Sequence, residues 1–214
     1  MSVVAVAGAG TEVGKTFVAA AVLRALHERG YEIAARKPVQ SFSPGDASTD
    51  ADELARATGA DATDVCPRHR WLPVPLAPPM AAEALGLPPF TVHELATEVM
   101  DGLPDGGRAL VETAGGVRSP IAADGDCVDL IAALEPALVV LVADAGLGTI
   151  NAVRLSVDAL AANETVVYLN RFDPANDLHA RNLEWLTERY GLRALTAIDD
   201  LAAQVARAAA GNAR

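Results

Sequence analysis

One stretch limits the possible folds of this chain more than any other: Val4-Ala5-Val6-Ala7-Gly8-Ala9-Gly10-Thr11-Glu12-Val13-Gly14-Lys15-Thr16. Small apolar residues read as a buried strand, the glycines as a tight turn, and Lys15-Thr16 as the opening of a helix. Such a turn points backbone N–H groups and the helix dipole at a phosphate group. Lys15 then neutralises charge on the outer phosphates, and the Thr16 hydroxyl is placed as a magnesium ligand. Five residues rather than four separate Gly8 from Gly14, which makes the loop a variant of the usual pattern. The order strand, turn, helix predicts an α/β protein of the P-loop NTPase type, with a mostly parallel sheet flanked by helices on both faces.

The rest of the chain carries the same pattern. Apolar runs at 2–7, 32–36, 108–112, 138–143 and 165–170 read as strands, the last of these as the final strand. Between the first two, 15–29 reads as a helix that buries Val18, Ala21, Leu23 and Leu26 and stops at Gly30. Residues 41–90 are less regular, with Pro44, Pro67, Pro73, Pro75, Pro78 and Pro79, and read as an excursion holding one or two short helices. The Ala-rich tail 201–214 is expected to fray. With 214 residues, 51% of them hydrophobic and only 4% aromatic, one α/β domain over 1–214 is expected rather than a β-sandwich binding module.

A formal net charge of −11 disfavours nucleic acid and anionic membrane as partners, since both are held through clustered Lys and Arg. No apolar run reaches the ~18 residues a membrane span needs, and Met1 leads into a strand without a basic leader. Cys66 and Cys127 lack CxxC spacing. The expectation is a soluble, cytoplasmic protein with two reduced cysteines.

Four further places carry candidate chemistry. Strand 32–36 ends in Arg36-Lys37-Pro38, and parallel pairing brings Lys37 to the phosphate-loop edge of the sheet. From position it reads either as a solvated lysine or as a second ammonium near the γ-phosphate. Thr49 reads as a helix N-cap followed by Asp50, Asp52 and Glu53, which either compensate the helix dipole or supply a carboxylate to a metal. Glu112 ends an apolar strand just before Thr113-Ala114-Gly115-Gly116, where glycines admit a ligand close to the backbone. Gly146-Leu147-Gly148-Thr149-Ile150-Asn151 fits either an amide nest for a carboxylate or a plain strand-to-helix turn. Asn170, at the end of 165–170 and next to Arg171, is placed to read a nucleobase edge.

Taken together, these residues resemble the dethiobiotin synthetase family from Met1 to about Asn170. The likeness rests on Gly8 to Thr16, Lys37-Pro38-Val39 with Ser41, Asp50, Leu76-Ala77-Pro78-Pro79, Glu112 with Ala114-Gly115-Gly116, and Gly146 to Asn151. It implies Mg²⁺ held by Thr16, Asp50 and Glu112, and ATP held by Glu12, Val13, Gly14, Lys15, Thr16, Phe17, Asp50, Glu112, Thr113, Ala114, Gly115, Asn170 and Arg171. By the same likeness Lys37, Lys15 and Thr11 are catalytic, and Thr11, Lys37 and Ser41 meet the substrate. Gly148, Thr149, Ile150 and Asn151 bind the substrate's carboxylate across a homodimer. The implied reaction joins 7,8-diaminopelargonate and CO2, at the expense of ATP, into a cyclic urea. The chain departs from the family pattern at Thr113, where many members have Gly. A Gly-x-Ile-Pro turn is also absent near 195–198, and a tyrosine is missing near Asn182. A regulatory ATPase of the MinD or ParA kind is the alternative; it is expected to carry an extra lysine where Gly8-Ala9-Gly10 stands.

Overall fold

A computed structural model describes residues 1–211. Along the chain the elements are β1 (Ser2–Gly8), α1 (Lys15–Glu28), β2 (Ala34–Arg36), β3 (Gln40–Ser41), α2 (Asp50–Thr58), α3 (Ala62–Val65), β4 (Trp71–Leu72), α4 (Pro78–Ala84) and α5 (Val92–Asp101). They continue with β5 (Arg108–Glu112), β6 (Pro120–Ala122), β7 (Gly125–Asp126), α6 (Cys127–Leu134), β8 (Leu138–Asp144), α7 (Thr149–Ala159), β9 (Thr165–Asn170), α8 (Asp177–Glu184), β10 (Ala194–Leu195) and α9 (Ile198–Gly211).

Six strands form one sheet in the order β10-β9-β8-β1-β5-β2, with every pairing parallel. Alternation along β1 divides the core in two. Val4 and Val6 face α1, α2 and α9, and pack with Leu23, Leu54 and Leu201. Val3, Ala5 and Ala7 face the other way, toward α5, α6 and α7 through Leu95, Leu130 and Val153. Every residue of β1 is buried, which explains why it reads as an unbroken apolar run rather than an alternating one. Parallel pairing puts the carboxyl ends of β1, β2, β5, β8 and β9 on one edge, and the phosphate loop, Lys37, Thr113, Ala145 and Arg171 all follow from there.

Several expectations need correction. The sheet does not end at Asn170: β10 adds a two-residue edge strand beside β9, too short to leave an apolar run in the sequence. The excursion 41–90 holds three short helices, α2, α3 and α4, plus a 3-10 turn at Arg68–Arg70. Over its described residues the tail is not frayed. Leu201, Ala202, Val205 and Ala209 of α9 are buried against α1, while 212–214 lie outside the described residues. Thr49 caps α2 as expected, in a reciprocal capping box with Asp52.

Candidate active site

The phosphate loop takes its shape from two crowded glycines. Gly14 adopts a left-handed conformation (φ 88°), and a side chain there would overlap the Asn170 amide. At Gly8 a Cβ would come 2.6 Å from Gly10 O. Arg171 braces the loop from outside: one guanidinium nitrogen donates to Glu12 O (3.1 Å) and another pairs with Asp144 (2.8 Å). Glu12 and Arg171 both have positive φ, 58° and 57°, an uncommon conformation for non-glycine residues that clusters at ligand-binding turns.

Below the loop lies a charge cluster, buried at Lys37 and Glu112, with the Asp50 side chain 42% exposed to the cleft. Lys37 is 2% exposed and Glu112 0%. The Lys37 ammonium donates to Glu112 Oε1 at 2.7 Å and Thr113 O at 3.2 Å, and pairs with Asp50 Oδ2 at 2.7 Å. The Thr16 hydroxyl lies 2.9 Å from both Asp50 Oδ1 and Glu112 Oε1. A hydroxyl has one proton, so it can donate to only one of these oxygens at a time. Glu112 Oε2 is buried without a partner. Three hard oxygens converging with carboxylate charge left over form a donor set that suits Mg²⁺.

The ionisation states follow from these contacts. Burial alone would lower the Lys37 pKa, but Glu112 and Asp50 outweigh it and raise it above the ordinary lysine value. Burial likewise works to raise the Asp50 carboxyl, yet Lys37 and Thr16 bring it below its usual value. Burial pushes Glu112 up, with Lys37 pulling against it. Lys15 is lowered, first by burial and then by the neighbouring Lys37.

Most of the candidate residues line one cleft of about 810 Å³, among them Thr11, Glu12, Gly14, Lys15, Thr16, Lys37, Ser41, Asp50, Glu112, Ala114, Gly115 and Arg171. The solvated-lysine reading of Lys37 is therefore wrong, because a partner carboxylate 75 residues away cannot be seen from its flanks. Phe17 sits on α1 and is exposed. Thr113, one of the departures from the family pattern expected from the sequence, turns its hydroxyl back to Val6 O (3.3 Å), so its side chain lies against β1. Asn170 donates its amide to Val13 O (3.0 Å) and so holds the loop. Near 195–198, where the Gly-x-Ile-Pro turn is absent, Tyr168 donates to Thr196 O (3.2 Å).

The segment Gly148 to Asn151 opens α7 on a separate cleft of about 440 Å³, which also touches Leu147, Arg154 and Asn182. Asn182, near which the family's tyrosine is missing, donates to Ala145 O and Gly146 O, each at 2.9 Å, and fixes the turn. The Thr149 hydroxyl is buried and unpartnered.

The sequence reading overlooked three contributors. Gln40 accepts from Ala51 N (3.0 Å) and donates to Thr49 (3.3 Å), which fixes the helix start that carries Asp50. Ser119 accepts from Gly116 N (2.8 Å) and supports the Gly115 turn. Asp144 accepts from Gly146 N (2.8 Å) while pairing with Arg171. Only Asp144 had a local signal, an acid at a strand's carboxyl end.

Known proteins agree with this geometry. A family model described as an AAA domain matches residues 2–206. The ATP-dependent dethiobiotin synthetase BioD of Corynebacterium efficiens is 41% identical over 162 residues, 74% of this chain and 70% of that protein. BioD of Mycobacteroides abscessus is 34% identical over 209 residues, covering 96% and 90%. Among solved structures, cobyrinic acid a,c-diamide synthase from Mycobacterium smegmatis, with bound ATP analog and magnesium, shares the fold at a TM-score of 0.51 and 15% identity, over 97% of this chain and 95% of that one. With relatives at this identity over two thirds or more of both chains, the chain belongs to the dethiobiotin synthetase family.

Proposed function

We propose that this chain is an ATP-dependent cyclo-ligase that makes dethiobiotin from 7,8-diaminopelargonate and CO2 in biotin biosynthesis. The observation that carries the reading is the single cleft in which the phosphate loop faces Lys37, Asp50 and Glu112. Identities of 34–41% to dethiobiotin synthetases favour it over the regulatory-ATPase alternative.

In this reading one amine of the substrate takes up CO2 as a carbamate, whose oxygen attacks the γ-phosphorus and displaces ADP. The second amine then attacks the carbamoyl carbon of the mixed anhydride, loses its proton and expels phosphate, which closes a five-membered urea. The carbamate is already anionic, so positioning and charge neutralisation carry the catalysis. Lys15 and Lys37 offset charge on the transferred group. Thr11 and Ser41 orient the carbamate, and Ser41, which donates to Leu76 O (2.7 Å), also fixes the 75–78 wall of the cleft. Thr16, Asp50 and Glu112 hold Mg²⁺, which neutralises phosphate charge when bound.

The substrate's carboxylate is met by Gly148 to Asn151 of the partner subunit in a homodimer. Leu147 is 92% exposed and Leu155 63%, beside the α7 cleft, an apolar surface of the kind a second copy covers. Among the described residues no helix is long and apolar enough to cross a membrane. With both cysteines free and buried, we assign the enzyme to the cytoplasm, with small molecules rather than nucleic acid or membrane as its partners.

The test is ADP formation with the purified chain, ATP and Mg²⁺. Turnover that requires both the diamine and bicarbonate, with dethiobiotin as product, is the expected result. A rate indifferent to both would overturn the ligase reading.

A further inference from the structure

Lys37 sits in one place and is needed in another. In the ligase reading its ammonium acts on the transferred phosphoryl group, yet in the structure all three of its N–H bonds are already engaged, to Asp50, Glu112 and Thr113 O. Those two carboxylates also flank the Thr16 hydroxyl, so the lysine and a divalent cation would draw on the same pair of side chains. Two cations that share this carboxylate pair repel each other, most strongly at the fully buried Glu112 end, where water screens them least.

We propose that Lys37 is a caged catalytic lysine: it serves as the resting counter-ion of Asp50 and Glu112, and binding of metal–nucleotide displaces it onto the reacting phosphoryl oxygens. The carboxylates keep a partner at every stage, first the ammonium and then the metal, which at the buried Glu112 avoids the large cost of leaving a charge unpaired. The ammonium in turn exchanges carboxylate oxygens for phosphoryl oxygens of like charge, so its own desolvation is compensated before and after the move. The geometry allows a short path, because Lys37 and Lys15 line the same cleft as the phosphate loop. The consequence is an order of events: the charge that stabilises transfer reaches the acceptor side only once metal and nucleotide are both loaded, so no half-assembled site carries a free catalytic ammonium. This inference rests on the nucleotide-dependent ligase reading and adds to it the resting partners of Lys37 and the event that releases it.

The sequence supplies an unusually clean test. The chain has two lysines, Lys15 and Lys37, both in this cleft. Labelling the full-length protein with ¹⁵N-lysine therefore gives two side-chain ammonium resonances from the whole molecule, and Lys37→Arg assigns them by removing one. Lys15, on the phosphate loop, reports nucleotide binding; Lys37 reports the exchange of partners. A non-hydrolysable ATP analogue given with Mg²⁺ is expected to shift both signals and to change the solvent exchange of Lys37. The same analogue with EDTA is expected to shift Lys15 and leave Lys37 where it was. If Lys15 shifts with Mg²⁺ and analogue while Lys37 keeps its frequency and its protection, the lysine stays with its carboxylates and the proposal is overturned. Silence of both signals would overturn the nucleotide reading and the proposal together, whereas loss of the proposal alone leaves diamine-dependent ADP formation intact. Mn²⁺ binding without nucleotide gives a second readout, expected to be at least about tenfold tighter in Lys37→Met than in wild type, since the competing ammonium is gone. Equal affinities would count against displacement.

Discussion

The carboxyl edge of the sheet is built in two ways. Under the phosphate loop, Glu112 of β5, Asp50 of α2, Thr16 of α1 and Lys37 from the loop after β2 bond to one another, with Lys37 and Glu112 buried and Asp50 half-open to the cleft. At the start of α7 the backbone is held just as firmly, by Asn182 and Asp144, but its outer surface is open, with Leu147 and Leu155 in solvent. The first region draws its ion pairs from one chain and leaves Glu112 Oε2 over. The second presents ordered backbone beside uncovered apolar surface, the pattern of a half-site that a second surface completes.

The largest expected effect tests the closed region. Lys37→Gln should lower diamine- and bicarbonate-dependent ADP formation by on the order of 10²-fold or more, the cost seen when a group that stabilises transition-state charge is removed. Nucleotide binding, measured by calorimetry, should weaken far less. A variant that turns over like wild type would make Lys37 a structural counter-ion only, and the two regions would then differ in burial but not in chemistry.

A smaller loss is expected from Asp50→Asn. It removes one hard oxygen charge from the Thr16–Asp50–Glu112 set but keeps the helix-capping geometry, which depends on Thr49 and Asp52. Turnover at limiting Mg²⁺ should fall about tenfold and recover in part as Mg²⁺ is raised, with the thermal transition preserved. Wild-type behaviour across the titration would return Asp50 to the dipole-compensating role that its place in the first helical turn also permits.

How legible each region was in the sequence follows the same division. The phosphate loop was readable because strand, glycines, Lys15 and Thr16 are contiguous, and Glu112 because it closes an apolar run. The burial of Lys37 was not readable. It depends on a carboxylate 75 residues away, which the parallel pairing of β2 with β5 brings beside it. Gln40 escaped for a similar reason, since its amide serves a helix that starts ten residues later, after a proline-containing loop. At α7 the Gly148 turn was visible but its anchors were not, because Asn182 reaches it from a later helix. Short β10 was missed because a two-residue strand leaves no periodic signal, whereas α9 carries Leu201, Val205 and Ala209 on one face and was passed over for its Ala-rich, terminal position.

The open region is tested by Leu147→Asp. A charge at the most exposed leucine should disfavour an apolar subunit contact while leaving the monomer's fold alone. The expected result in sedimentation is a dimer dissociation constant raised about tenfold, equivalent to ~1.4 kcal/mol, with turnover regained at higher protein concentration. A wild-type protein that is monomeric and fully active at working concentration would show that α7 needs no covering copy and would remove the contrast between the two regions.

The smallest effect on turnover is expected away from both regions, at an ion pair that ties the 41–90 excursion to α5. Arg70 bonds Glu98 through two nitrogens, at 2.9 and 2.6 Å, with its guanidinium over the Phe90 ring at 4.6 Å from the centroid, and His69 lies 3.2 Å from the same carboxylate. Burial would raise the Glu98 carboxyl, but the hydrogen bonds from Arg70 and His69 prevail and hold it below the ordinary glutamate value. A carboxyl with a depressed folded-state pKa contributes stability above its unfolded pKa and loses it as pH falls through the folded one. Glu98→Gln should therefore cost about 1 to 2 kcal/mol at neutral pH, the scale of charge-assisted hydrogen bonds, and the deficit should shrink as acid protonates the wild-type carboxyl. Turnover at neutral pH should be unchanged, because the side-chain partners of Glu98 are Arg70 and His69 rather than any residue of the phosphate-loop cleft. Thermal unfolding of both proteins from neutral pH to about pH 3 measures this directly. A deficit that stays constant across that range would mean that the lost stability comes from packing of the Glu98 stem and not from its charge, and a fall in turnover would tie the excursion to the chemistry of the closed region.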